Sequence, residues 1–141
     1  MGDIALAIGR VAIPIVFIVS GVAKFLNVSG IANHPGLTNF MNAFGEITSR
    51  TTLGYIIATI EVVGGISVLI GFKTRWGAIA LLLFTACTII FAHNFWTMEG
   101  AARAANQVQA LKNLAIMGGL LAFAVMGSGR YSMDDLVATR T

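Results

Sequence analysis

The chain has 141 residues, 57% of them hydrophobic and 11% charged, with 9 Lys+Arg against 6 Asp+Glu. Soluble domains carry roughly 25% charged residues, so this composition excludes an ordinary water-soluble globule. The apolar share of 141 residues is about 80 positions, and a spanning helix uses roughly 20. The arithmetic predicts a single all-α domain, an integral membrane four-helix bundle.

The first predicted span covers 4–25, IALAIGRVAIPIVFIVSGVAKF. Met1-Gly2-Asp3 is not a basic leader, and Arg10 and Lys24 interrupt the apolar run, so a retained helix is expected rather than a cleaved signal peptide. The 26–52 linker is long for a bundle connection. Within it Leu37, Phe40, Met41 and Phe44 recur at helical spacing after His34-Pro35-Gly36. This predicts a short amphipathic helix over 37–44 on the outer membrane face, a reading compatible with a packed lid over the bundle mouth. The second span is expected over 53–72 and the third over 76–96, joined by the turn Gly71-Phe72-Lys73-Thr74. A short loop rich in small residues is expected over 97–107, the fourth span over 108–127, and a polar tail from Ser128 ordered only near the membrane. Alternation is lacking, so barrel strands are excluded, and helices satisfy every backbone group in lipid.

Four spans place both termini on one side. Lys73, Arg75, Arg130 and Arg140 lie there, against Lys24, Arg50 and Arg103 opposite. The excess, and above all the tight Lys73-Thr74-Arg75 turn, predicts cytoplasmic termini. Gly64-Gly65 and Gly118-Gly119 form a faint internal echo, read either as a repeat or as close-packing sites.

Several chemistries are excluded by count. With Cys87 as the single cysteine, there is no intramolecular disulfide and no iron–sulfur cluster. His34 and His93 are too few for a bis-haem site, though a single haem remains open by number. Lys and Arg are not clustered as nucleic-acid binding requires, so no nucleic-acid partner is expected. No intrinsic cofactor and no metal site are expected.

The informative residues are polar groups within or beside the spans, because an unpaired charge at the bilayer centre costs on the order of 3 kcal/mol. Lys24, Glu61, His93, Asn94 and Lys112 all belong to the outer half and form the candidate binding cluster. Glu61 lies about 12 Å below the outer end of its span and Lys112 about 6 Å below the same surface. Lys112 is therefore the expected partner of Glu61, with an Arg10–Glu61 pair as the structural alternative. Helical spacing predicts inward stripes of Arg10, Phe17, Gly21 and Lys24; of Gly54, Ala58, Glu61 and Gly65; of Ala86, His93 and Trp96; and of Lys112, Ala115 and Gly119. The competing readings are that the ion pair only fixes helix register, that Lys24 snorkels, and that Trp96 belongs to the interfacial aromatic belt.

In order and spacing these landmarks resemble the DoxX family of small four-span bacterial membrane proteins. The matching elements are Gly9-Arg10, Phe17 to Phe25 as FIVSGVAKF, Glu61-Val62-Val63-Gly64-Gly65, and the Gly71-Phe72-Lys73-Thr74-Arg75 turn. Ala92-His93-Asn94-Phe95-Trp96, Leu111-Lys112-Asn113-Leu114-Ala115 with Gly118-Gly119, and Gly127-Ser128-Gly129-Arg130-Tyr131-Ser132-Met133-Asp134 complete it. Ser128 departs from the Pro common in the family. The resemblance implies an inner-membrane location and association with redox or sulfur-handling enzymes such as thiosulfate:quinone oxidoreductase. The leading expectation is a non-catalytic accessory subunit of a respiratory or redox membrane complex, near a quinone, contacting lipids and other membrane subunits or further copies of itself. A quinone- or small-anion-binding redox component is the second expectation, and a carrier of a small solute or lipid the third.

Overall fold

The first apolar run becomes α1, Gly2–Leu26, one of four helices long and apolar enough to cross a membrane in this computed structural model, which describes residues 2–139. The others are α4 (Arg50–Ile70), α5 (Thr74–Phe91, continued to Thr97 by a 3-10 turn) and α6 (Gly100–Met126). Between α1 and α4 lie α2 (Val28–Ala32) and α3 (Pro35–Phe44), and α7 (Met133–Ala138) closes the described chain. No strand occurs among the described residues, as the all-α four-helix membrane bundle requires.

Local chemistry sets the helix ends. Ser49 caps α4 by accepting from the Thr52 N–H at 3.1 Å. His34 caps α3, with Pro35 supplying the preset φ of its first turn. Gly71 ends α4 in the left-handed conformation, φ 72°, where glycine carries no Cβ penalty. Lys73 follows at φ 49°, the single non-glycine residue with positive φ among those described.

Packing runs α1 on α4, α4 on α5 and α5 on α6, with a sparser α1–α6 contact. The buried seam joins Phe17, Val68, Ala78, Leu81, Leu120 and Phe123. Glycine permits the close approaches, since van der Waals fit rather than hydrophobicity drives helix association in lipid. Gly65 lies against Ile18 and the Pro14 carbonyl of α1, while its neighbour Gly64 lies against Leu81 of α5. One Gly-Gly pair thus serves two partners. Gly119 packs on Ile13, but a Cβ at Gly118 would meet open space, so the two glycine pairs are not equivalent.

The predicted 37–44 helix is α3, and it is a lid. Leu37 and Met41 are buried on Leu53 of α4. Asn39 Nδ2 donates to the Phe91 carbonyl at 2.9 Å and Arg50 to the Thr38 hydroxyl at 2.9 Å. Phe40 and Phe44 close on Phe91 with ring centroids 5.4 and 5.9 Å away.

Two stretches differ from expectation. The 97–107 segment is largely helical, because α6 starts at Gly100 and extends outward beyond its apolar portion. The tail forms α7, and it is latched to the bundle. Asp134 Oδ1 and Oδ2 accept the Lys73 and Thr74 N–H groups at 2.7 and 3.1 Å, while the Asp134 N–H donates to the Gly71 carbonyl at 2.8 Å.

Candidate functional site

Ser20 and Lys24, one turn apart on α1, both face Glu61 of α4. Lys24 Nζ lies 2.7 Å from Glu61 Oε2 and donates to Oε1 at 2.9 Å, and the Ser20 hydroxyl donates to Oε1 at 3.0 Å. Lys24 also bonds the Ser20 hydroxyl. Glu61 is 3% exposed. Gly21 makes the arrangement possible: a Cβ there would fall 2.9 Å from the Ala58 carbonyl oxygen and 3.0 Å from Glu61 Cβ. With that glycine the two backbones approach until a short hydroxyl and a long ammonium reach one carboxylate.

The expected partners of Glu61 are therefore corrected. Lys112 is exposed and forms no ion pair among the described residues. The buried side of α6 carries Ala110, Leu120 and Phe123. Of the predicted Lys112, Ala115, Gly119 stripe only Gly119 packs inward, on Ile13, while Lys112 and Ala115 are exposed. The α6 helix packs on α5 and sparsely on α1, so Lys112 has no approach to Glu61 of α4. Arg10 is not Glu61's partner either. It is 4% exposed and donates to the Tyr131 carbonyl at the terminus-bearing end, fourteen residues or about 21 Å along α1 from Lys24. The stripes on α1 and α4 do face inward, with Arg10, Phe17, Gly21, Gly54, Ala58, Glu61 and Gly65 all buried.

His93 and Asn94 follow the end of α5 and take no part in this cluster's hydrogen bonds. His93 Nδ1 is 3.0 Å from Asn106 Oδ1 of α6, and Asn94 Nδ2 donates to the Thr97 hydroxyl at 3.0 Å. Trp96 is exposed at the same end, consistent with a place in the aromatic belt. Sequence reasoning did not assign Ser20 or His34 to the site. Ser20 was legible, lying one turn before Lys24 on the charged stripe. His34 was visible only as a helix start.

Beyond the ion pair lies a cavity of about 430 Å³, bounded by α3, α4 and α5. Leu37, Phe40, Leu53, Ile57 and Phe91 form its apolar body, and Lys24 and His34 stand in its wall. Exposed Leu83 and Ile56 belong to the lining, so it opens sideways between α4 and α5 toward lipid. His34 Nδ1 accepts the Gly36 N–H at 3.0 Å. Partial burial, then the nearby His93 and Lys24, hold the His34 imidazole below its usual range. The ring is thus kept neutral, with a lone pair for the cap.

Among the described residues, four spanning helices, a helical lid and a half-buried Lys–Glu pair beside a laterally open apolar cavity define a small polytopic membrane protein. The chain belongs to the DoxX family, which its residues 5–94 match. It is 31% identical over 132 residues to the inner membrane protein YphA of Escherichia coli K12, covering 93% of this chain and 89% of that one. It is 32% identical over 135 residues to the inner membrane protein YqjF of the same organism, covering 96% and 93%. A shorter similarity, 30% over 81 residues, reaches the ER-derived vesicles protein ERV29 of Saccharomyces cerevisiae, covering 57% of this chain and 26% of that one. No solved structure matches. The protein is accordingly a DoxX-family inner membrane protein.

Proposed function

We propose that the protein holds a quinone in the cavity under α3 and presents it, as a non-catalytic subunit, to a redox assembly in the membrane. The observation that carries this reading is the pairing of an apolar, laterally open cavity of about 430 Å³ with one ammonium in its wall. Ligand sites typically enclose ~300–1,000 Å³ and combine an apolar body with a few fixed polar groups. A quinone has this division, with an apolar tail and ring carbonyls that accept hydrogen bonds. Lys24 Nζ is the donor for a ring carbonyl, and Glu61 and Ser20 fix its position. Entry from the flank suits a ligand dissolved in the bilayer rather than in water.

The test is retention of decylubiquinone by the protein in lipid nanodiscs. Saturable binding of one quinone per chain is expected, lost in Leu83→Trp, which fills the slot, and weakened about tenfold in Lys24→Met with Glu61→Gln, the equivalent of one hydrogen bond with no carboxylate left stranded. Retention by Leu83→Trp equal to the parent protein overturns the assignment. The subunit role is tested separately by extraction of native membranes in mild detergent, where partner proteins must accompany the chain.

A further inference from the structure

At the opposite, terminus-bearing end a second cavity of about 520 Å³ lies between the start of α5 and the segment that follows α6. Lys73, Arg75 and Arg130 line it from two separate stretches of chain. None of the three is in an ion pair among the described residues. The Arg75 guanidinium lies along the Gly127 turn, its Nε 3.4 Å from where a Cβ would stand. Asp134 and Asp135 also line the cavity. The Asp134 carboxylate is committed to the first amides of α5, so that helix terminus is spent and is not the receptor. With the flanking groups included, Asp3 accepting from the Arg130 N–H and Arg10 donating to the Tyr131 carbonyl, four cations face three carboxylates and one net positive charge remains.

The rim has a second character. Trp76, 73% exposed, and Met126, also exposed, border the same cavity. They stand where α5 begins and α6 ends, the level at which indole rings meet lipid headgroups. A basic recess bordered by an interfacial tryptophan and an apolar edge matches a molecule with a singly charged phosphodiester and an acyl chain.

We propose that this recess is a binding site for the headgroup of an anionic phospholipid from the leaflet at the terminus-bearing face. Arg75 and Arg130 grip the phosphodiester, Lys73 adds charge, and the first acyl segment runs past Trp76 and Met126. Arginine's planar fork suits phosphate oxygens, and basic recesses between spanning helices are known to select anionic lipid headgroups. The site is independent of the quinone cavity at the other end of the bundle.

The test uses the full chain in a non-ionic detergent, with Trp96→Phe so that Trp76 is the sole tryptophan. Short-chain dihexanoyl phosphatidylglycerol is expected to shift Trp76 emission saturably, with an affinity that falls as salt rises. Dihexanoyl phosphatidylcholine, with no net charge, and glycerol 3-phosphate, with no acyl chain, are each expected to bind at least about tenfold more weakly. Arg75→Gln with Arg130→Gln is expected to weaken phosphatidylglycerol about tenfold or more, whereas Arg103→Gln leaves it unchanged. Arg130 is exposed, so Arg130→Gln alone provides a folded variant, expected to bind several-fold more weakly. Equal affinity for the two lipids, or unchanged affinity in Arg130→Gln, overturns the proposal. Glycerol 3-phosphate binding as tightly as the lipid overturns the lipid assignment in favour of a free phosphate ester.

Discussion

Gly71 and Arg10 occupy space that only a glycine leaves free. Gly71 closes α4 at φ 72°, and a Cβ there would overlap the Arg10 guanidinium of α1. Held in this way, Arg10 donates to the Tyr131 carbonyl and draws the segment after α6 under the α4–α5 turn. One contact therefore joins α1, the turn and the tail. Gly71→Ala is expected to destabilise the protein by about 1–3 kcal/mol from backbone conformation alone, with steric overlap adding to it. Thermal unfolding in detergent measures this; a melting temperature equal to the parent's would show that the guanidinium has room to move.

The Lys24–Glu61 pair is expected to behave as a coupled unit. Removing one partner of a buried pair strands a charge and typically costs about 3–5 kcal/mol, whereas removing both costs much less. Lys24→Met should destabilise strongly, and Lys24→Met with Glu61→Gln should recover most of the loss. Lys112→Met, which alters an exposed side chain, should stay within about 0.5 kcal/mol. A double-mutant cycle in detergent unfolding reads the coupling, and strictly additive effects of Lys24 and Glu61 would contradict the geometry.

Where a helix carried a clear contrast between faces, its orientation could be read from spacing. Arg10, Phe17 and Gly21 on α1, and Gly54, Ala58, Glu61 and Gly65 on α4, form single stripes of small and polar residues, and those stripes are buried. On α6 the polar residue misled. Lys112 suggested an inward face, yet the core side is marked by Ala110, Leu120 and Phe123, which resemble the apolar residues facing lipid. In a membrane, apolarity does not distinguish buried from exposed positions. The ion pair was misassigned because depth along the normal was legible but helix adjacency was not: α4 packs on α1 and α5, and α6 packs on α5 and sparsely on α1. Of the candidate cluster, Lys24 and Glu61 come together, whereas His93 and Asn94 bond to Asn106 and Thr97, and Lys112 stands apart. The latch by Asp134 was hidden differently, because it joins backbone amides sixty residues away, and no local pattern announces such a contact.

Asp134 supports a prediction about the tail. Burial acts to raise its carboxyl, but the Lys73 and Thr74 N–H groups outweigh this and hold it below its ordinary range. The carboxylate form is thus the one that latches. Asp134→Ala removes two charge-assisted bonds, worth about 1.5–3 kcal/mol each at most, and is expected to release 128–139 while leaving the four spans intact. Limited proteolysis should then cleave the tail several-fold faster in the variant. Equal cleavage rates would mean that the Arg10 contact alone holds the tail.

His34 is expected to make the lid sensitive to acid. Its Nδ1 accepts the Gly36 N–H at the start of α3, and a protonated Nδ1 cannot accept. The imidazole charge would also sit at a helix N-terminus, the unfavourable end of the dipole, and close to Lys24 and His93. Because the folded value is depressed, the stabilising contribution is fully present above the ordinary value of 6.5. It is lost as pH falls from there through the lower value of the folded state. Loss of an N-cap typically costs ~1 kcal/mol, enough to raise lid opening about fivefold. His34→Asn keeps a capping acceptor without a titrating group, so its lid should be indifferent to pH in this range. Amide exchange over 37–41, compared between the two proteins at each pH to cancel intrinsic rates, should diverge below about pH 6.5. A constant ratio across that range would place the lid's stability in the Asn39 and Arg50 anchors rather than in the histidine cap.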